Sequence, residues 1–381
     1  MPLNVLIAPD KFKGTLSAGE AAAALARGWR RERPGDALSL LPITDGGDGF
    51  GGVMGSLLGA RERTLRTVNA AHAACQARWW WDPARRAAVI ESAEVIGLAK
   101  LPPGRFHPFQ LDTFGLGAVL RAVEREGVER CLVGIGGSAT NDGGFGLARA
   151  LGWQFLDRSG RKLQRWTELA ELAEVRPPKQ KGRFGKLLVA VDVQNPLLGP
   201  RGATRVYGPQ KGLRPGDLSR AESCLRRLAT VVEDELGRNL RRLSGAGAAG
   251  GLGFGLVAFA RGELVPGFDL FARQVGLARR LRSADLVLTG EGALDDSTFM
   301  GKGVGQIARH CQRLELGCIG LAGRLALSAR NQGRFDRTLA LTALTTPARA
   351  RAEPARWVEE LAALAARQGP PATPCKFARR W

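Results

Sequence analysis

The sequence predicts an α/β protein built on a parallel sheet, with a second, mixed α/β domain inserted into it, and three observations carry that expectation. Two strand-loop-helix units follow one another at the start of the chain, an apolar strand later runs straight into a glycine-rich loop, and three short apolar segments near the end read as further buried strands. Sheets of this kind gather ligands at the carboxyl ends of their strands.

The first unit is a strand from Asn4 to Ala8, the loop Pro9 to Thr15, and a helix from Ala18 to Arg31 opened by a capping box of Ser17 with Glu20. The second is a strand from Leu38 to Ile43 that ends in Thr44-Asp45-Gly46-Gly47-Asp48-Gly49, followed by a helix from Phe50 to Leu58. The texture then changes. Arg63 to Asp82 and Ala87 to Glu91 alternate as antiparallel strands do, which places a domain boundary near Arg63 and sends Trp79-Trp80-Trp81 to core or interface packing. A helix from Gly115 to Glu126 precedes the strand Arg130 to Ile135. Leu156 to Gly185 reads as an exposed connection around a short helix, Trp166 to Ala173. Lys186 to Val191 is a strand that delivers Asp192, and the loop Tyr207 to Gly212 leads to a long helix from Pro215 to Leu236. Gly245 to Ala260 is a glycine-rich loop plus a buried helix, too short for a membrane span. Ala284 to Leu288, Cys318 to Leu321 and Thr338 to Ala343 are strands, with a helix from Gly305 to Leu314, and they complete the first sheet. The expected domains are residues 1–63 with 283–368, an insertion of 64–282, and a loose tail of 369–381.

Bulk properties bound the function. With 381 residues, 44% of them hydrophobic, the chain can bury a large core. Its net charge of +20 would suit an anionic partner, but the arginines (Arg30, Arg31, Arg33, Arg226, Arg227, Arg241, Arg242, Arg279, Arg280) lie near helix ends or on polar faces among glutamates. Solvated surface explains them, and no nucleic-acid signature accompanies them. Six scattered cysteines without a C-x-x-C pair, and three histidines, argue against zinc and for a reducing, cytoplasmic setting. Val5-Leu6-Ile7 passes directly to Asp10, Lys11 and Lys13, so a signal-peptide apolar region is not expected, nor a membrane partner.

The segment Cys131 to Gly146, CLVGIGGSATNDGGFG, reads as an anion-binding loop at a helix N-terminus, where glycines admit backbone N–H groups to a phosphate. It matches neither common phosphate-loop fingerprint, and a tight strand-to-helix turn is the competing reading. Lysines beside glycine (Lys13, Lys211, Lys302) can bring an ammonium to an anion without crowding it. Asp45, Asp192 and Asp295 follow strands or lie in the loops these feed, where a carboxylate can hold Mg2+ or accept a hydroxyl proton. Turn and capping roles compete for Asp45 and Asp142.

Taken together the loops resemble those of the bacterial type-1 glycerate kinase family, from Ile7 to about Ala366. The matching segments are APDKFKGTLSA from Ala8, PITDGGDG from Pro42, GIGGSATNDGG from Gly134, DVQNPLLGPRGA from Asp192, YGPQKG from Tyr207, GAGAAGGLGFG from Gly245, and ADLVLTGEGALD from Ala284 with the later pair Gly301 and Lys302. The resemblance implies ATP- and Mg2+-dependent phosphorylation of D-glycerate to 2- or 3-phosphoglycerate. It also implies a Rossmann-like (flavodoxin-like) domain carrying an inserted α/β domain, with the active site in the cleft between them. On this reading Asp192, then Asp45, serves the reacting hydroxyl. Gly136, Gly137, Ser138, Thr140, Asn141, Lys211 and Lys302 bind the nucleotide phosphates, Lys13, Asp10 and Asp295 touch substrate or phosphate, and Asp192 or Asp295 contacts Mg2+. The chain departs from the family pattern at Lys11, Asp48, Phe50, Ala293, Ser297 and Val304. The absent guanidinium at position 293 and the ring of Phe50 leave two alternatives open, a kinase for another small hydroxy acid and a catalytically silent anion- or nucleic-acid-binding relative.

Overall fold

Val5, Leu6, Ile7 and Ala8 are all buried, as befits a parallel strand covered on both faces, and they form the strand Asn4–Pro9. The structure is a computed structural model that describes residues 1–179, 184–301 and 303–371. Asn4–Pro9 pairs in parallel with Ala37–Leu40 on one side and with Leu286–Asp295 on the other; Gly317–Ala326 and Arg337–Ala340 extend the sheet. Numbered along the chain, these five strands lie in the order 2-1-3-4-5, the flavodoxin-like doubly wound order. Its switch point falls between Asn4–Pro9 and Leu286–Asp295. Helix Ala18–Glu32 covers one face together with Pro354–Arg367, their Leu25, Trp29, Val358 and Leu361 packing with Val5, Ile7, Leu286 and Leu288. Ser17 and Glu20 form both halves of the expected capping box.

A second sheet contains six strands in the order Glu263–Pro266, Lys186–Val191, Arg130–Gly134, Ala87–Glu91, Ala74–Asp82, Arg61–Val68. The first four are parallel and the last two join antiparallel, so the alternating texture after residue 60 marks an appended hairpin. Contacts divide the chain into two units, residues 1–45 with 268–381 and residues 46–267. Both divisions fall earlier in the chain than the expected 63/64 and 282/283. Helix Phe50–Leu58 goes with the inserted unit because its glycines lie flat on Trp80: a Cβ on Gly51 or Gly55 would stand 1.9 or 2.2 Å from that indole. Trp79, Trp80 and Trp81 are buried, as expected.

Three other elements differ from expectation. The second strand ends at Leu40, although the amides of Leu41 and Ile43 still reach the carbonyls of Ile7 and Pro9; Pro42 falls between them, at a position whose N–H side faces away from the sheet on this edge strand. The segment expected to be an exposed connection buries Leu163, Trp166, Leu169, Leu172 and Val175. Their spacing of three is the period of a 3-10 turn, observed at Trp166–Glu171, and short strands Gln154–Leu156 and Glu174–Arg176 flank it. Residues 180–183 of that segment, and residues 372–381 of the expected tail, lie outside the described residues. Finally, Leu286–Asp295 and Gly317–Ala326 run ten residues each, so the GEGALD segment is strand and not loop.

Candidate functional site

In the inserted unit, strand Arg130–Gly134 feeds the glycine-rich loop, and Lys211 is folded back onto it. The Lys211 side chain, 7% exposed, donates from Nζ to Ser138 Oγ at 2.9 Å and to the Thr140 carbonyl at 2.6 Å. Burial brings its pKa down from 10.5 to about 7, and the charge of Asp142 offsets only part of that. Thr140 Oγ1 and Asn141 Oδ1 are buried without a partner, while Asn141 Nδ2 donates to Thr204 Oγ1 at 3.1 Å. The loop can approach the neighbouring backbone only through glycine: Gly250, at φ +70°, would place a Cβ 2.0 Å from the Thr140 carbonyl oxygen.

The helix N-termini do not do what the sequence suggested. Asp142 accepts from Thr113 N, Thr113 Oγ1, Gly144 N and Gly146 N, so the start of helix Phe145–Ala150 is filled by the chain's own carboxylate. Burial and Asp112 raise its pKa, against those hydrogen bonds. The start of helix Phe50–Leu58 is filled likewise, because both oxygens of Glu91 accept, one from Gly49 N and one from Gly51 N, at 2.9 Å each. Gly136 N donates to the Gly46 carbonyl, and Asp48 Oδ1 stands 1.9 Å from where a Cβ on Gly137 would lie. The cation left in this loop is therefore Lys211, with the hydroxyls of Ser138 and Thr140.

Asp192 is exposed at the carboxyl end of Lys186–Val191. Burial and its charge push the Tyr207 phenol up, and that hydroxyl donates to Asn195 Oδ1 at 2.6 Å.

In the other unit, the expected carboxylates converge at the sheet's switch point. Asp10 follows Asn4–Pro9, its amide bonding the Gly290 carbonyl, and its Oδ1 accepts from Lys11 N at 2.7 Å. Burial and then the charge of Asp45 raise its pKa to about 7, with a smaller push from Glu291, whose Oε1 accepts from Thr298 Oγ1 at 2.7 Å. Lys13 is exposed. Asp295 caps the turn Asp296–Phe299 by accepting from Ser297 N, a structural task for the group expected near Mg2+. Among the described residues no group of three or more His, Cys, Asp or Glu could hold a metal ion. Lys302 lies outside the described residues.

Two of the substitutions that left the substrate open can now be placed. Phe50 is fully buried against Gly134, as a core ring. Ala293 pairs in register with Arg324, an exposed residue of the adjacent strand. Glu91 and Glu291 escaped the sequence reading, although the rule that singled out Asp192, an acid at the carboxyl end of a strand, applies to Glu91 as well.

The glycerate kinase family model matches residues 5–368. A glycerate kinase of Halalkalibacterium halodurans is 37% identical over 84% of this chain and 86% of its own length, and that of Bacillus subtilis is 38% identical over 85% and 86%. A crystal structure from Salmonella typhimurium LT2, described as a "putative glycerate kinase 2", superposes with a TM-score of 0.82 at 32% identity and covers 97% of this chain and 98% of that one. With a buried lysine set on the loop 138–140, carboxylates at a flavodoxin-like switch point, and a family match that leaves out only the chain's ends, this protein belongs to the glycerate kinase family.

Proposed function

We propose that the protein transfers the terminal phosphoryl group of ATP to a hydroxyl of D-glycerate. The observation that carries this reading is the family match over residues 5–368, with relatives of similar length named glycerate kinase. Phosphoryl transfer needs little covalent chemistry from the protein, which must position the phosphates and neutralise their charge. Lys211 and Ser138 supply a cation and a hydroxyl for that, with Lys302 as a further lysine. The proton of the attacking hydroxyl goes to a carboxylate, Asp192 first and Asp45 second, and Asp45 has Asp10 beside it. Arg324 offers the guanidinium for the glycerate carboxylate.

Mg2+ usually takes one or two carboxylates plus substrate phosphates, and exposed Asp192 suits that donor set better than Asp295, whose Oδ1 is engaged in its turn. When bound it neutralises charge on the phosphate oxygens. A cytoplasmic setting fits the described cysteines, which are free thiols; no helix among the described residues is long and apolar enough to cross a membrane.

The experiment is ADP release by the purified protein with ATP, Mg2+ and D-glycerate, with the product read by 31P and 13C NMR. Turnover with phosphate on the 2- or 3-hydroxyl is the expected result, and indifference to glycerate within a panel of small hydroxy acids would overturn it. Asp192→Ala and Asp45→Ala both retaining near-normal turnover would remove the proton-acceptor assignment.

A further inference from the structure

Lys211 has an unusual setting for a buried amine. Its two partners, Ser138 Oγ and the Thr140 carbonyl, are neutral, and among the described residues it is in no ion pair. Lysine is rarely buried so fully unless a carboxylate accompanies it. Among the described residues around it, none bonds a carboxylate oxygen to its amine. Asp142, the charged group that acts on it, has its oxygens committed to Thr113, Gly144 and Gly146. Pro108, packed against Gly212, is apolar, and the neighbouring His107 is turned to Asp217, Nε2 to Oδ2 3.1 Å. On the other side of the loop Asn141 faces Thr204, which is uncharged. An ammonium has three N–H donors, and two are used, so one remains. The unpartnered Thr140 Oγ1, completely buried, is a second donor left without work on the same loop.

From this geometry we infer that Lys211 is the seat of a polyphosphate oxyanion, and that the anion's arrival draws a proton from solvent onto its amine. The inference rests on the ATP reading above and adds a linkage to it. Without nucleotide, near neutral pH, the amine divides between its neutral and charged forms, since burial, offset only in part by Asp142, holds its pKa at about 7. A phosphate oxygen beside Nζ supplies the missing counter-charge and restores the ammonium. The step is a proton taken from water or buffer; no covalent bond forms or breaks. It follows that nucleotide binds more tightly as pH falls from about 9 towards 7, the range in which the free amine has lost its proton and the ATP phosphates have not yet gained one.

The test is titration calorimetry of the whole protein with ATP and Mg2+, no acceptor present, at pH 8 in buffers of different ionisation enthalpy, repeated at pH 6 and with inorganic tripolyphosphate. The wild type should take up close to one proton per ATP at pH 8 and much less at pH 6, and tripolyphosphate should reproduce the uptake. Lys211→Arg, whose charge is permanent, should bind with no proton uptake at pH 8. Should that variant fail to fold, 13C-lysine NMR of the wild type decides: one lysine should titrate near 7 and move upward when ATP binds. Tight binding without uptake, or uptake unchanged in Lys211→Arg, would overturn the linkage and leave the kinase reading standing. Absence of ATP binding altogether would overturn both.

Discussion

Asp142 and Asp10 are both aspartates set in the loop that follows a parallel strand, one in each unit, yet they are treated differently. Asp142 is fully buried among four donors, from Thr113, Gly144 and Gly146, and holds a turn together. Asp10 is half-buried, accepts from the Lys11 amide, and stands among the negative charges of Asp45 and Glu291 with the charge of Lys11 opposing them only in part. Lys211 stands to its unit as Asp10 stands to the other: an ionisable group whose withdrawal from water is offset only in part, by the charge of Asp142 for the one and by the amide and charge of Lys11 for the other. The comparison teaches that burial by itself does not mark a functional group. A buried carboxyl group whose oxygens are all bonded within a turn serves the fold, whereas a group left with few or neutral partners is kept at a cost in stability and is poised to change protonation near neutral pH.

The comparison breaks most visibly at Asp142. Asp142→Ala leaves the Thr113 and Gly146 amides buried and unpaired, and should lower unfolding stability by roughly 3–5 kcal/mol in urea denaturation. A loss below about 1 kcal/mol would show that the turn does not depend on the carboxylate.

Asp10→Asn should act in the opposite direction. The folded pKa of Asp10 is raised from 3.8 to about 7, so its neutral form favours folding at low pH, and that contribution is lost as pH rises through about 7. Asparagine does not titrate. The stability of the variant relative to wild type should therefore climb between about pH 4 and 7 and then level off, by at most about 4 kcal/mol. A difference that stays flat across that window would remove Asp10 from the contrast.

The smallest expected effect sharpens the substrate side. Arg324→Ala should raise the KM for glycerate about tenfold, equivalent to about 1.4 kcal/mol, and leave the KM for ATP unchanged. Equal changes in both would mean that the guanidinium holds the strand pair and not the acceptor.

Much of the architecture was legible in the chain because its determinants are local. The capping box of Ser17 and Glu20, the burial of Val5 to Ala8 on both faces and the strand that packs Trp79 to Trp81 into the core each lie within a few residues, and each appears where the sequence put it. The buried row from Leu163 to Val175, with the 3-10 turn Trp166–Glu171 inside it, carried a signal too, in its spacing of three, but the polar and proline residues around it suggested an exposed connection. The candidate site was legible only as a set of loops. Nothing local told that Glu91 would close the helix start at Gly49 and Gly51, or that Phe50 would turn inward onto Gly134.

By itself, then, the sequence determined most strands of the two large sheets, the capped first helix, the glycine-rich turns and the ordered motifs that mark the family, since periodicity, capping and backbone freedom act over one or two turns of chain. Tertiary structure decided which charges meet. Lys211 reaches Ser138 from 73 positions away, and Asp10 meets Asp45 and Glu291 only because the strand order sets Asn4–Pro9 beside Leu286–Asp295. Whether a lysine or an aspartate is an ordinary surface charge or a group poised near neutrality depends on the water and the partners around it, and those are fixed only when distant strands pack.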